Sequence, residues 1–154
     1  MDKDMKLPLI ENGSVIDHID CGMAIKVLRI LGLTSGEPEQ TVTVLIKAAS
    51  RKRKWKDIVK VEGKELKPRE VNQIALVAPH ATINIIRNHT VVKKITPALP
   101  DDVKGIVKCT NLSCISNLNE PIEPSFKVEC REPVKLRCHY CDRVVEDPGS
   151  HLIE

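Results

Sequence analysis

Apolar positions along the chain change period several times, and each change marks a new element. Gly13 to Ile19 alternates after a turn, which predicts a short strand with Val15, Asp17 and Ile19 on one face and Ile16 and His18 on the other. From Cys21 to Leu33 the spacing becomes helical. Ala24, Val27, Leu28 and Leu31 share a face, Ile25 and Ile30 widen it, and Gly32 supplies a stop. A loop with Gly36 and Pro38 follows. Gln40 to Lys47 then alternates Val42, Val44 and Ile46 against Thr41, Thr43 and Leu45, and Asp57 to Val61 is a third strand turned by Glu62-Gly63. Lys67 to Ala78 predicts a second helix. Pro68 sits in its first turn, where a missing N–H costs nothing, Val71, Ile74, Ala75 and Ala78 face one way, and Pro79 ends it. Ala81 to Arg87 and His89 to Ile95 are two alternating arms around a polar tip at Arg87-Asn88, a hairpin.

The order strand, helix, strand, strand, helix, strand, with one strand more from the hairpin, predicts an α+β sandwich. Its helices pack on one face of an antiparallel sheet, leaving the other for solvent, a ligand or a second copy. Pro97-Ala-Leu-Pro100 is a stiff linker, so two domains are expected, residues 1–98 and 99–154. In the second, Ile106 to Lys108, Phe126 to Cys130 and Val134 to Cys138 are predicted strands. A unit this small has little core and needs a staple.

Cysteine spacing supplies one. Cys109, Cys114, Cys138 and Cys141 read C-x4-C-x23-C-x2-C, two close pairs joined by a loop, as in a tetrahedral zinc site. The competing readings are two disulfides or four unrelated buried thiols. Backbone amides in the polar turns Cys109 to Cys114 and Cys138 to Cys141 are placed to stabilise thiolates. Four protein ligands leave no open position, so the metal is expected to be one structural Zn²⁺ per chain. Cys21 and Cys130 are left over, and read as small buried hydrophobes or inert thiols.

Composition narrows the function classes. Among 154 residues, 24 Lys and Arg against 21 Asp and Glu leave a formal charge of +3, which demands no nucleic-acid partner. Hydrophobic residues at 42% suffice for a core, but aromatic residues at 2% make it aliphatic and remove stacking platforms for single strands. Met1 to Ile10 has no long apolar stretch after its charges and is not expected to be a signal peptide; no run approaches a membrane span. Six cysteines without an export signal point to a reducing, cytoplasmic setting. Ser50 to Lys56 carries five cations and one Trp, read either as a solvated loop or as a phosphate or nucleic-acid patch.

Hydrolase, nucleotide-loop and metalloprotease motifs are missing from the sequence, so the chain is not expected to be an enzyme by itself. Binding is the stronger reading. Antiparallel pairing brings Lys60, Asn84, Ile86, His89, Val91 and Lys94 towards Asp17 and His18. That set offers cations for phosphates, amide and carboxylate groups for a base or ribose, and an aliphatic floor.

Four stretches carry a resemblance. Gly13-Ser-Val-Ile-Asp-His-Ile19, Lys56-Asp-Ile-Val-Lys60, Ile74-Ala-Leu-Val-Ala-Pro79 with Ala81-Thr-Ile-Asn84, and Cys109-Thr-Asn-Leu-Ser-Cys-Ile-Ser116 resemble the regulatory chain of aspartate carbamoyltransferase, in that family's order, from Ile10 to about Val145. The resemblance implies a ferredoxin-like allosteric domain that binds pyrimidine and purine nucleoside triphosphates (CTP, UTP and ATP) in one site, followed by a small β-rich, zinc-ribbon-like domain that docks on the catalytic chain. Carried over by position, Ile10, Glu11, Val15, Asp17, His18, Lys60, Asn84, Ile86, His89, Val91 and Lys94 line the site. Lys94 meets the phosphates, and Lys60 and Asp17 lie near the sugar or base. It further implies regulatory homodimers, three of which bridge two catalytic trimers, and control of carbamoyl transfer in pyrimidine biosynthesis. The chain departs from the family at His89, where a Tyr is expected, in the shortened segment around Leu9 to Glu11, and in its basic Ser50 to Trp55. Two rival readings remain at this point: a zinc-ribbon protein that binds RNA or DNA through Ser50 to Lys60, and a scaffold without a working ligand site.

Overall fold

In the computed structural model the described residues are 9–51, 54–119 and 122–153. Residues 1–8 and Lys52, Arg53, Glu120, Pro121 and Glu154 therefore lie outside the description, and with them part of the N-terminal segment and of the basic run. The chain divides into two compact units, Met1–Ala98 and Leu99–Glu154.

The first unit contains β1 (Gly13–Asp20), α1 (Ala24–Ile30), β2 (Val42–Ala49), β3 (Trp55–Glu62), α2 (Pro68–Ile74), β4 (Thr82–Arg87) and β5 (Thr90–Ile95). Its antiparallel sheet has the order β2-β3-β1-β4-β5. The first four strands with the two helices form a ferredoxin-like βαββαβ unit, and β5 extends the sheet beyond it. Ile16, Val59, Val61, Ile83 and Ile85 point to the helices and are buried with Val27, Leu28, Val71, Ile74 and Ala75.

Both helices are shorter than the apolar period implies. Cys21 and Gly22 form a turn, Gly22 at φ 95°, so α1 begins at Ala24. It closes with Leu33 N donating to Leu28 O, and Gly32 at φ 72° takes the left-handed conformation that ending needs. Beyond Ile74 the amides of Leu76 and Val77 bond three residues back, a tighter winding than α, and that of Ala78 bonds four back to Ile74 before Pro79.

Asp57 is fully buried on β3, on the helix side of the sheet. Its carboxylate accepts N–H bonds from Gly22 (2.8 Å), Ala24 (3.0 Å) and Lys47 (2.9 Å). Register breaks flank it on both sides, between Ile16 and Ile19 of β1 and between Leu45 and Ala48 of β2. His18 and Lys47 hold positive φ there, 58° and 64°. The β1 bulge changes the expected faces, for Ile19 joins Ile16 in the core and Asp17 keeps to the open face.

The second unit is a four-stranded antiparallel sheet of order β6-β7-β8-β9, built from β6 (Asp102–Lys104), β7 (Ser125–Arg131), β8 (Val134–Cys138) and β9 (Val144–Val145). The short β6 and β9 carry too few residues for a readable alternation. Ile106 to Lys108, expected as a strand, makes only a bridge between Val107 and Leu152. Val103, Val107, Phe126, Leu136 and Val145 form the core. No helix among the described residues is long and apolar enough to cross a membrane.

Replacing Asp57 by Ala leaves three buried N–H donors without their acceptor. The expected loss is about 3 kcal/mol, read as a fall in melting temperature of roughly 10 °C or more. A thermal melt of the variant that overlays the parent would show that those amides need no carboxylate.

Candidate functional site

The face of the first sheet turned away from the helices collects most of the binding residues expected from the sequence. Residues directly opposite on antiparallel strands point the same way. Lys60, Val15, Asn84 and Lys94 are successive partners across β3, β1, β4 and β5, so they form one transverse row, and Thr43 extends it onto β2. Gly13, Ile86 and Val91 form the row beside it. Asp17 pairs with Thr82 on the other side of the first row.

Two bulges decide who belongs to this face. Val91 and Lys94 are three apart, and in a regular strand would face opposite sides. Ile85 pairs with Lys93 but Ile86 pairs with Val91, which leaves Val92 unmatched and puts Val91 and Lys94 together. On β1, left-handed His18 places Nδ1 3.0 Å from Thr82 Oγ1, beside Asp17.

The charges are arranged unevenly. Lys56 Nζ lies 2.9 Å from Asp17 Oδ1. Lys56 belongs by sequence to the basic run, but β3 starts at Trp55 and carries it onto the sheet. Thr82 was missed as well, and its only signal was its place opposite Asp17. Lys60 is 8% exposed, and burial pushes its ammonium below the usual lysine range while Asp17 opposes the shift. Lys94 and His89 are exposed.

Ile10 and Glu11 precede β1. The Ile10 side chain is buried, whereas Glu11 is exposed and its carbonyl accepts from His89 N at 2.9 Å. Of the basic run, Trp55 lies under Lys47 Nζ, 5.1 Å from its ring centroid. A cleft of about 310 Å³ opens on the opposite, helix-covered side, between α2 and the β4–β5 hairpin, with Leu66, Val71 and Ile85 in its lining.

In the second unit Cys109, Cys114, Cys138 and Cys141 bring their sulfurs within 4.8 Å of one another. Cys109 and Cys141 are 3.6 Å apart and Cys114 and Cys138 3.7 Å. These gaps are far beyond a disulfide bond of about 2.05 Å. They fit a tetrahedron of metal–sulfur bonds of about 2.3 Å, whose corners lie about 3.8 Å apart. Backbone N–H groups of Asn111, Tyr140, Cys141 and Arg143 point at the sulfurs of Cys109, Cys138 and Cys141. Asn117 Nδ2 donates to the carbonyls of Cys109 and Asn111 and fixes the first turn. Without a cation among them, burial pushes the Cys109 thiol up to about 12 and that of Cys138 up as well. At Cys141 burial is outweighed by the Arg143 amide, the Asn111 side chain and the neighbouring thiols, which lower it to about 7.

An open sheet face that carries Lys60 and Lys94 is thus followed by a module of four clustered cysteines with the ligand set of a closed metal site. Comparison with known proteins makes this specific. The chain matches the family model of the aspartate carbamoyltransferase regulatory chain, allosteric domain, over residues 5–98, and that of its metal binding domain over residues 101–148. It is 53% identical to the aspartate carbamoyltransferase regulatory chain of Methanothrix thermoacetophila over 143 residues, 93% of this chain and 92% of the relative. The corresponding chain of Thermococcus gammatolerans is 49% identical over 150 residues, 97% of each, and that of Pyrococcus furiosus 48% identical over 144 residues, 94% of each. The chain belongs to the aspartate carbamoyltransferase regulatory chain family. It is a non-catalytic regulatory chain with an allosteric and a metal-binding domain.

Titrating the metal-free chain with Zn²⁺ should release protons, because Cys109 must ionise from about 12. Affinity should fall with pH from well above neutrality, and more steeply below about 7, where Cys141 also takes up its proton. Calorimetry in two buffers of different ionisation enthalpy counts the protons; a heat independent of buffer would mean that protonated thiols bind the ion.

Proposed function

We propose that this chain is the allosteric subunit of an aspartate carbamoyltransferase holoenzyme, and that it binds nucleoside triphosphates on the open face of its first sheet. CTP or UTP and ATP compete for that face and thereby raise or lower carbamoyl transfer to aspartate, in the cytoplasmic synthesis of pyrimidines. The observation that carries this reading is the Lys60–Val15–Asn84–Lys94 row, flanked by Asp17, His18, Ile86 and Val91. Exposed Lys94 on the outer strand meets the phosphates. Lys60 and Asp17, deeper in the sheet, meet sugar or base, and Val15, Ile86 and Val91 supply an aliphatic floor. His89 closes the end of the site at the hairpin turn, with Ile10 and Glu11 alongside.

A nucleotide does no chemistry there. It shifts the holoenzyme only by binding one quaternary state better than another, and such coupling amounts to about 1–3 kcal/mol. The signal leaves through the second unit, where the proposed ion is zinc held by Cys109, Cys114, Cys138 and Cys141. Its four-thiolate set suits that metal and leaves it structural. Leu112, 79% exposed, lies in one cysteine turn and exposed Tyr140 in the other, which supports a docking surface for the catalytic chain. Ile25 of α1 and Ile46 of edge strand β2 are also exposed, and support pairing of two regulatory chains, three such pairs bridging two catalytic trimers.

Calorimetric titration of the zinc-loaded chain with CTP and ATP, beside the Lys94→Ala variant, tests the ligand. The expected result is saturable, mutually competing binding that weakens at least tenfold in the variant, the scale of a lost charge-assisted contact of about 1.5–3 kcal/mol. No nucleotide binding together with salt-sensitive binding to RNA would replace this reading with that of a nucleic-acid-binding zinc ribbon.

Chelation tests the assembly. Removing zinc from the holoenzyme should dissociate it and leave catalytic trimers active and insensitive to nucleotides. Nucleotide control that survives complete chelation would separate the metal from the signal.

A further inference from the structure

The hairpin turn that closes the open face is held from outside the hairpin. Asn88 and His89 both adopt left-handed backbone, φ 53° and 65°, as a two-residue turn between β4 and β5 requires. Such a turn leaves the N–H groups of its central residues facing away from the strand pair. Asn88 N donates to Asn12 Oδ1 at 3.2 Å and His89 N to Glu11 O at 2.9 Å. Asn12 also reaches the other neighbour of β1, for its carbonyl accepts from Gly63 N at 2.8 Å, in the turn after β3.

Asn12 is itself fixed in place. Gly13 follows at φ 146°, so close to β3 that a Cβ there would lie 2.2 Å from the Val61 carbonyl oxygen. Ser14 is fully buried, its hydroxyl donating to Lys64 O at 2.7 Å and accepting from Leu66 N at 3.1 Å. Residues 12–14 thus form a fixed post between two turns, and β5 beyond the hairpin turn is an edge strand with one neighbour.

We infer that Asn12 is a positioning residue for effector binding. It touches no ligand. Through Asn88 it holds the hairpin turn, and with it His89 and the start of β5 at Val91, against the end of the open face. This rests on the nucleotide reading of that face. The direction of control follows from the geometry: loss of the Asn12 side chain removes one of the two bonds that hold the turn, leaves the backbone bond from His89 N to Glu11 O, and leaves the core rows of β1, β3 and β4 as they are.

The test is a double-mutant cycle on the zinc-loaded full chain, with CTP and ATP titrated into the parent, Asn12→Ala, His89→Ala and the double variant. Asn12→Ala should weaken the nucleotide that binds by about 3- to 10-fold, the equivalent of one hydrogen bond. The same change should cost little once His89 is gone, because both act through one turn. Hydrogen exchange supplies a second readout: in Asn12→Ala the Asn88 amide should exchange faster while the amides of Ile16, Val59 and Ile83 keep their protection. Unchanged affinity in Asn12→Ala, or strictly additive losses, overturns the inference and leaves the nucleotide reading standing if Lys94→Ala still weakens binding at least tenfold. Faster exchange spread evenly over the sheet makes Asn12 a stability residue and overturns it too. A parent chain that binds neither nucleotide removes the reading and the inference together.

Discussion

A single buried carboxylate organises the first unit. Asp57 takes one N–H from the turn before α1, one from the first residue of α1 and one from the bulge of β2. An uncompensated carboxylate in that position would be costly, and unpaired amides around it nearly as much. The two solve each other's problem. Because the amide of Lys47 is satisfied by a side chain, β2 can leave its ladder at that point, and β1 breaks register at the same level on the other side of β3. The break on β1 in turn keeps Asp17 and His18 beside the sheet's transverse row while Ile19 returns to the core. A polar pair in the middle of an apolar strand, odd by sequence, is the visible end of this arrangement.

The two units obtain rigidity from different sources. The first has enough aliphatic side chains to bury a layer between sheet and helices, and does so with almost no aromatic residues. The second has a small core around Phe126 and Leu136, and its first cysteine turn is joined to the β7–β8 hairpin, which ends at the second, through a polar loop. A metal at the four sulfurs closes that loop and removes conformational freedom that so small a core does not remove by itself. Amides aimed at the thiolates prepare the turns for charge before the ion arrives.

Much of this was legible in the sequence. The order of elements, the α+β class and the cysteine pairs follow from period and spacing, because those signals are local. What was lost is where locality fails. Alternation assigns Ile19 and Asp17 to one face, and would separate Val91 from Lys94, since no local pattern announces an extra residue in a strand. Lys56 was hidden in a run of cations, although its partner Asp17 lies on a neighbouring strand. Residues 102–104 and 144–145 are too short to show alternation, and become strands only because β7 and β8 offer free edges. Asn12 carries no compositional signal, since its value comes from two turns that sequence separates by dozens of positions.

Lys60 has a consequence of its own. An ammonium ion in water is wrapped in tightly held solvent, and any anion that would touch it must first displace that shell. Here part of the stripping is done when the sheet forms and sets Lys60 between Val15 and Thr43, with Asp17 as partial compensation. An anion or carbonyl oxygen that reached this partly desolvated cation would spend less of its attraction on removing water at the moment of contact. The folded state carries that expense continuously, whether or not anything is bound.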